Sequence, residues 1–470
     1  MAGSLTNTAI RRLDQPPPAG RLTLAACADR HALGQRLAAA GLADAADAKA
    51  RLFQQAADAL GASAGLDADV TVAAIFVPGR IELVGKHVDY AGGRSLVCAV
   101  DRGFCLLVRA RDDRTVNLIR ADGGGRAQFE LGPDLVADPA GWANYPMTVA
   151  RRVARNFPEA TRGGDIAFAS DLPPASGLSS SSALVTAMFF ALARANELHA
   201  SDTFQRDLPD LPALAGYLGC IENGSGFAKL PGDRGVGTLG GCQDHAAIIA
   251  SEAGTLTQFA YGPVRIERRI PLPERLALVV AFSGTHAEKT GSARTQYNDA
   301  ASLARAAVER CNKALNRDAP HLGATLRHVS PQRIRQVLAA APELLQRFEH
   351  FFAESERIVP GVGDALLAGD LHRLGRLVDR SQQLAERQLA NQVPQTISLA
   401  RSARELGAVA ASAFGAGFGG SVWALVPRTD TDRFISAWQR EHVRAHPADA
   451  ADAIFFSTAA GPPAFELTAG

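Results

Sequence analysis

Apolar positions change their spacing several times along the chain, and each change predicts a different element. Between about 21 and 66 the sequence is Ala/Leu-rich at helical spacing, as in RLFQQAADAL, and reads as a helical lead-in without chemistry. From residue 70 short β-branched runs take over. VTVAAIFVPGR (70–80), IELVGKHVDYAGGRSLVCAV (81–100) and RGFCLLVRARDD (102–113), separated by Pro-Gly, Tyr-Ala-Gly-Gly and charged turns, predict a sheet. Trp142 to Phe157 returns to helical spacing, GDIAFASDLPP (164–174) reads as a strand, and 183–195 is apolar nearly all round, as a helix buried under that sheet is. Residues 222–250 are dense in glycine and end in a helix-like run opened by Asp244 and His245. The pattern restarts near 255 with strands LTQFAY and RLALVVAFSG and long amphipathic helices, one carrying Leu371, Leu374 and Val378 at i, i+3, i+7. The expected organisation is therefore a lead-in over 1–66, whose polar, proline-rich first 20 residues are poorly ordered, an amino-terminal domain over 67–255 and a carboxy-terminal domain over 256–470.

Composition narrows the function. At 470 residues the chain exceeds a single small core, and 49 basic against 48 acidic residues leave a net charge of +1 with no basic block, so nucleic-acid and membrane-surface roles gain no support. The six cysteines are scattered without a CxxC pair and read as reduced thiols. No signal-peptide core opens the sequence and no run reaches the roughly 18 apolar residues of a membrane span. A soluble, cytoplasmic protein is expected.

Asp171 to Ala183, DLPPASGLSSSSA, carries the first candidate chemistry. Gly177 permits a sharp turn, and the serines stand where a helix starts, with unpaired N–H groups, the positive end of the helix dipole and hydroxyls facing one way. Such a stretch holds a phosphate, or it is a Ser-capped core helix after a loop.

Two further stretches join it. VPGRIELVGKHVDYAGG, DLPPASGLSSSSA and FGAGFGGSVWALV, in that order, resemble the three motifs of the GHMP small-molecule kinases, and the first resembles galactokinase most closely. The resemblance covers about 70–430. It implies an α/β (α+β) fold of two domains, a ribosomal S5 domain 2-like amino-terminal one and a ferredoxin-like carboxy-terminal one, with the site between them. It also implies transfer of the ATP γ-phosphoryl group to a sugar hydroxyl, the anomeric one in galactokinase. Pro173, Ser176, Gly177, Leu178, Ser179, Ser180, Ser181 and Ser182 would then form the nucleotide loop, with Ser181 and Glu222 holding Mg²⁺. Asp244 would face the acceptor hydroxyl, as base or as orienting group, unless it is simply a helix N-cap. Arg80 would stabilise charge developing on the transferred phosphate. His87, Asp89, Gly241 and Tyr297 would surround the sugar.

The departures from that family matter as much. Galactokinase reads GEHTDY where this chain reads GKHVDY, and Cys242-Gln243 replaces an Ile-Met pair. In the family that glutamate lies toward the exocyclic end of the sugar. Lys86 therefore either pairs with the carboxylate of a uronate substrate or swings out to solvent. The competing readings are a uronate or pentose kinase and a catalytically idle sugar sensor. A dinucleotide-binding oxidoreductase would need GxGxxG directly after a strand together with an acid about 20 residues on, a combination neither Gly-rich segment meets.

Overall fold

Among the described residues, strands assemble into two β-sheets, one of ten strands and one of four. The computed structural model describes residues 10–12, 15–16, 20–138, 141–174, 176–285 and 291–469; most of the first 20 residues, expected to be poorly ordered, lie outside these. The larger sheet takes β1 (Ile10–Arg12), β2 (Leu22–Thr23), β3 (Thr71–Val84), β4 (Arg94–Ala110), β5 (Thr115–Arg120), β6 (Arg126–Glu130), β7 (Gly164–Ser170), β8 (Thr255–Ala260) and β9 (Arg265–Pro271). The smaller takes β10 (Leu276–Phe282), β11 (Ala410–Ala413), β12 (Ser421–Pro427) and β13 (Ile454–Thr458), all antiparallel in the order β11-β12-β10-β13. The last strand, β14 (Phe465–Leu467), returns to the larger sheet and lies between β1 and β3.

The β-branched runs are continuous rather than alternating because the larger sheet is covered on both faces. Ala73, Ile75 and Val77 of β3 enter one core and Ala74 and Phe76 the other, the period of two that a pleated strand imposes. Helix α1 (Ala46–Ala64) fills the second face with Phe53, Ala57 and Leu60, so the lead-in is part of the sheet's packing. Helices α2 (Asn144–Asn156), α3 (Ser180–Ala195), α4 (Leu211–Asn223) and α5 (Gln243–Ala250) cover the first face, and α3 is buried on nearly every side, as its sequence requires.

The structure corrects the sequence reading in two places. The Pro78-Gly79 pair, read as a turn between strands, lies inside β3, where a register shift between Pro78 and Arg80 absorbs the proline's missing donor. The irregularity docks the serine loop: Arg80 N donates to Leu178 O at 3.1 Å, and a Cβ on Gly79 would lie 2.7 Å from that same carbonyl. LTQFAY, expected to open the second domain, is β8, and it pairs with β4 and β9 in the first sheet. Among the described residues no helix is long and apolar enough to cross a membrane.

Candidate active site

Three elements bring the site together. The shift in β3 presents Arg80, the turn after β3 presents His87 and Asp89, and the first turn of α5 presents Gln243 and Asp244. Arg80, 3% exposed, donates from Nε to Asp244 Oδ1 at 2.6 Å and from Nη1 to Gly177 O at 2.5 Å. Asp244 Oδ2 accepts from Ser179 Oγ and, at 3.3 Å, from Ser182 Oγ. The helix-cap alternatives thereby fall: Cys242 is the N-cap of α5, and Ser179, at the N-cap of α3, makes no side-chain cap bond and spends its hydroxyl on Asp244.

A cavity opens beside this pair, and Arg80, Asp244, His87, Asp89 and Tyr297 all line it. His87 Nε2 donates to Ala416 O at 3.1 Å, leaving Nδ1 to accept from the Tyr90 hydroxyl at 3.0 Å. Asp89 Oδ2 accepts from Gln243 N at 3.1 Å. Gly241 is forced by this packing, since a Cβ there would lie 2.3 Å from Asp89 Oδ2. Glu222, at the end of α4, accepts from Ser182 Oγ at 2.8 Å and from His245 Nε2 at 3.1 Å. The serine hydrogen-bonded to Glu222 is Ser182, while Ser181 lines a neighbouring cavity.

A second, larger cavity adjoins the first, with Arg80 and Ala416 on both walls. Gly177, Ser179, Ser180 and Ser181 line one side of it; Phe104, Trp142, Tyr145 and Phe168 supply an aromatic side that sequence reading missed. Three residues of the loop shape it from within instead. Ser176 Oγ donates to Pro173 O at 2.8 Å, and Leu178 is buried in the core.

Lys86 follows neither expectation. It is 1% exposed, it is absent from the wall of the smaller cavity, and its Nζ donates to Ser381 Oγ at 3.0 Å. Ser381 in turn donates to Glu354 Oε1 at 2.7 Å, and the same oxygen accepts from Gly85 N at 2.8 Å. The cause is topological: helix α6 (Leu371–Leu384) carries Ser381 against the turn and draws the ammonium away from the cavity.

Known families match along the same stretches. The model of the GHMP kinases N terminal domain matches residues 144–224, that of GHMP kinases C terminal matches 364–445, and the galactokinase galactose-binding signature matches 67–110. The galactokinase of Chloroflexus aggregans is 30% identical over 370 residues, 77% of this chain and 85% of the relative, and that of a Roseiflexus species is 31% identical over 363 residues, 76% and 84%. This chain belongs to the galactokinase family. The crystal structure of Lactococcus lactis galactokinase complexed with galactose has the same fold, with a TM-score of 0.70 at 23% identity over 84% of this chain and 94% of that one. As a GHMP kinase of the galactokinase family the protein is a phosphotransferase, and GHMP kinases use ATP as phosphate donor.

The signature region holds a residue that neither motif nor composition singled out. Glu82, on the same face of β3 as Arg80, lines the smaller cavity with one oxygen held by Gln243 Nε2 at 2.8 Å. Its signal in the sequence is a lone acid inside an apolar strand. Burial pushes its carboxyl up from 4.5 to about 7, against the pull of Lys86 and Arg80. Because the folded value lies above the ordinary one, the fold disfavours the ionised form. The cost is absent below about 4.5, grows as pH rises and is complete above about 7, on the order of 3 kcal/mol. Glu82→Gln should therefore raise Tm relative to wild type more at pH 8 than at pH 5, as scanning calorimetry at both pH values will show. An equal difference at both would mean that Glu82 ionises without cost.

Proposed function

We propose that this protein is a magnesium- and ATP-dependent kinase that phosphorylates galactose on its anomeric hydroxyl. The observation that carries the reading is Arg80, which stands on the wall common to both cavities with one nitrogen on Asp244 and another on the serine loop. The smaller cavity takes the sugar, with His87 and Asp89 toward its hydroxyls and Tyr297 over it. The larger cavity takes the nucleotide, its base among Trp142, Tyr145 and Phe168 and its phosphates along Ser179–Ser182 at the start of α3. The α3 N–H groups and Arg80 lie where negative charge builds on the transferred group, and phosphoryl transfer needs such placement more than covalent work. Asp244 accepts the hydrogen bond of the acceptor hydroxyl. With its charge already matched by Arg80, it orients that hydroxyl and takes the proton late, as the new oxygen–phosphorus bond forms and the bond from the γ-phosphorus to the bridging oxygen breaks, with ADP leaving.

The donor set near the serine loop suits Mg²⁺. Glu222 and Asp244, bridged by the Ser182 hydroxyl, offer only oxygens to a hard cation. Among the described residues no group of three or more His, Cys, Asp or Glu side chains converges to hold a metal unaided, which fits an ion that takes most of its ligands from water and phosphates. Glu222 with the hydroxyls of Ser181 and Ser182 would hold it, and the ion would supply charge neutralisation on the triphosphate. The same reading places the protein in the reduced cytoplasm: its six cysteines are free thiols, and burial pushes those of Cys27 and Cys98 up to about 12.

A uronate gains nothing from this site. Lys86 is turned away, and Glu82, Asp89 and Asp244 make the wall acidic, so a sugar carboxylate meets like charges. ATP consumption should be fastest on galactose in a comparison with galacturonate, glucuronate, arabinose and mevalonate, with a 1-phosphate as product by ³¹P NMR. Faster turnover of a uronate, or no turnover of any sugar, would reject the reading.

A further inference from the structure

One ionisable group on the wall of the smaller cavity has no part in the chemistry above. Glu82 is 2% exposed, and while its Oε2 accepts from Gln243, its Oε1 has no hydrogen-bond partner among the described residues. Gln243 Oε1, from the same wall, has none either. Buried acceptors without donors are rare because each forfeits the hydrogen bonds it made in water, and two in one cavity call for a ligand that brings hydroxyls.

Their position says which end of the ligand they meet. Arg80, Ile81 and Glu82 pair in unbroken register with Ala99, Cys98 and Val97, so Glu82 lies two residues along the strand from Arg80 on the same face, about 6.6 Å at the usual rise. That is roughly the length of a pyranose ring. With the reacting hydroxyl at Asp244 beside Arg80, Glu82 stands at the far end. Two of the neighbours that act on Glu82 are departures from the galactokinase motif: Gln243 holds its Oε2, and the buried charge of Lys86, together with that of Arg80, favours its ionised form.

We propose that Glu82 is a specificity-determining residue whose Oε1 accepts a hydrogen bond from a hydroxyl at the end of the sugar opposite the reacting carbon, with Gln243 fixing the carboxylate. The inference rests on the galactokinase reading above. It also accounts for the retention of a carboxylate that costs the fold stability.

The test compares kcat/KM for galactose, 4-deoxygalactose and 6-deoxygalactose at pH 8 in wild type, Glu82→Met and Glu82→Gln. Wild type should prefer galactose over at least one deoxy sugar by ten- to a hundred-fold. Glu82→Met, which removes the acceptor at similar length, should lose that preference by slowing on galactose alone, and Glu82→Gln, which keeps a neutral acceptor, should fall between. Wild type acting equally on all three sugars overturns the proposal without reference to how the variants fold. So does a variant that keeps the wild-type preference, while galactose turnover leaves the kinase reading intact. A wild type idle on galactose overturns the kinase reading and this inference together.

Discussion

Asp244→Asn should lower kcat about a thousand-fold while the nucleotide binds as it does to wild type. The asparagine keeps the side chain's shape and can still accept from Arg80 Nε, so the wall between the two cavities stays in place. What it loses is the charge that orients the acceptor hydroxyl and takes its proton, a contribution of roughly 10²–10⁴ in general-base catalysis. Some stability goes with it, because Arg80 is buried and forfeits its counter-charge. The decisive comparison is kcat against nucleotide affinity by calorimetric titration, both below the variant's Tm. Wild-type kcat would move the acceptor-facing role to another residue. Loss of nucleotide affinity together with kcat would make Asp244 a structural partner of the serine loop through Ser179 and Ser182.

Arg80→Met should cost kcat about 10²–10³, the usual effect of removing a group that stabilises charge in the transition state. Methionine keeps the apolar stem and deletes both donors, the one to Asp244 and the one to Gly177 O. Because Arg80 and Asp244 act as one unit, the double variant with Asp244→Asn should be little slower than the worse single variant. Full multiplication of the two losses in steady-state kinetics would show two independent roles and break the pairing on which the mechanism is built.

The sequence disclosed the chemistry better than the geometry. The serine loop, the buried α3, the HxD turn and the third glycine turn were all legible, because each depends on local backbone requirements that a few residue types satisfy. Pro78-Gly79 misled because Pro-Gly is a turn signal, whereas the serine loop bonded to Arg80 N turns it into an irregularity inside a strand. The role of β8 was hidden for a related reason: which sheet a strand joins is decided by partners far along the chain. Lys86 was visible as a charge reversal, but its direction is set by Ser381 and Glu354, from helices nearly three hundred residues on. Glu82 was passed over as part of a strand run, although an acid two residues from Arg80 shares its face.

The return of β14 to the larger sheet has a consequence for how the protein is made. Its three residues pair with β3 on one side and β1 on the other, and Glu466 forms a buried ion pair with Arg194 at the far end of the helix that begins in the serine loop. A chain leaving the ribosome exposes β3 early but cannot seal that edge until the entire smaller sheet has also emerged. Closing it is a long-range, entropically slow step, and until then β3 presents an open strand edge to other nascent chains. Trimming the final residues at the carboxy terminus would thus act on the nucleotide-binding half of the molecule, by leaving unsealed the sheet on which its serine loop rests.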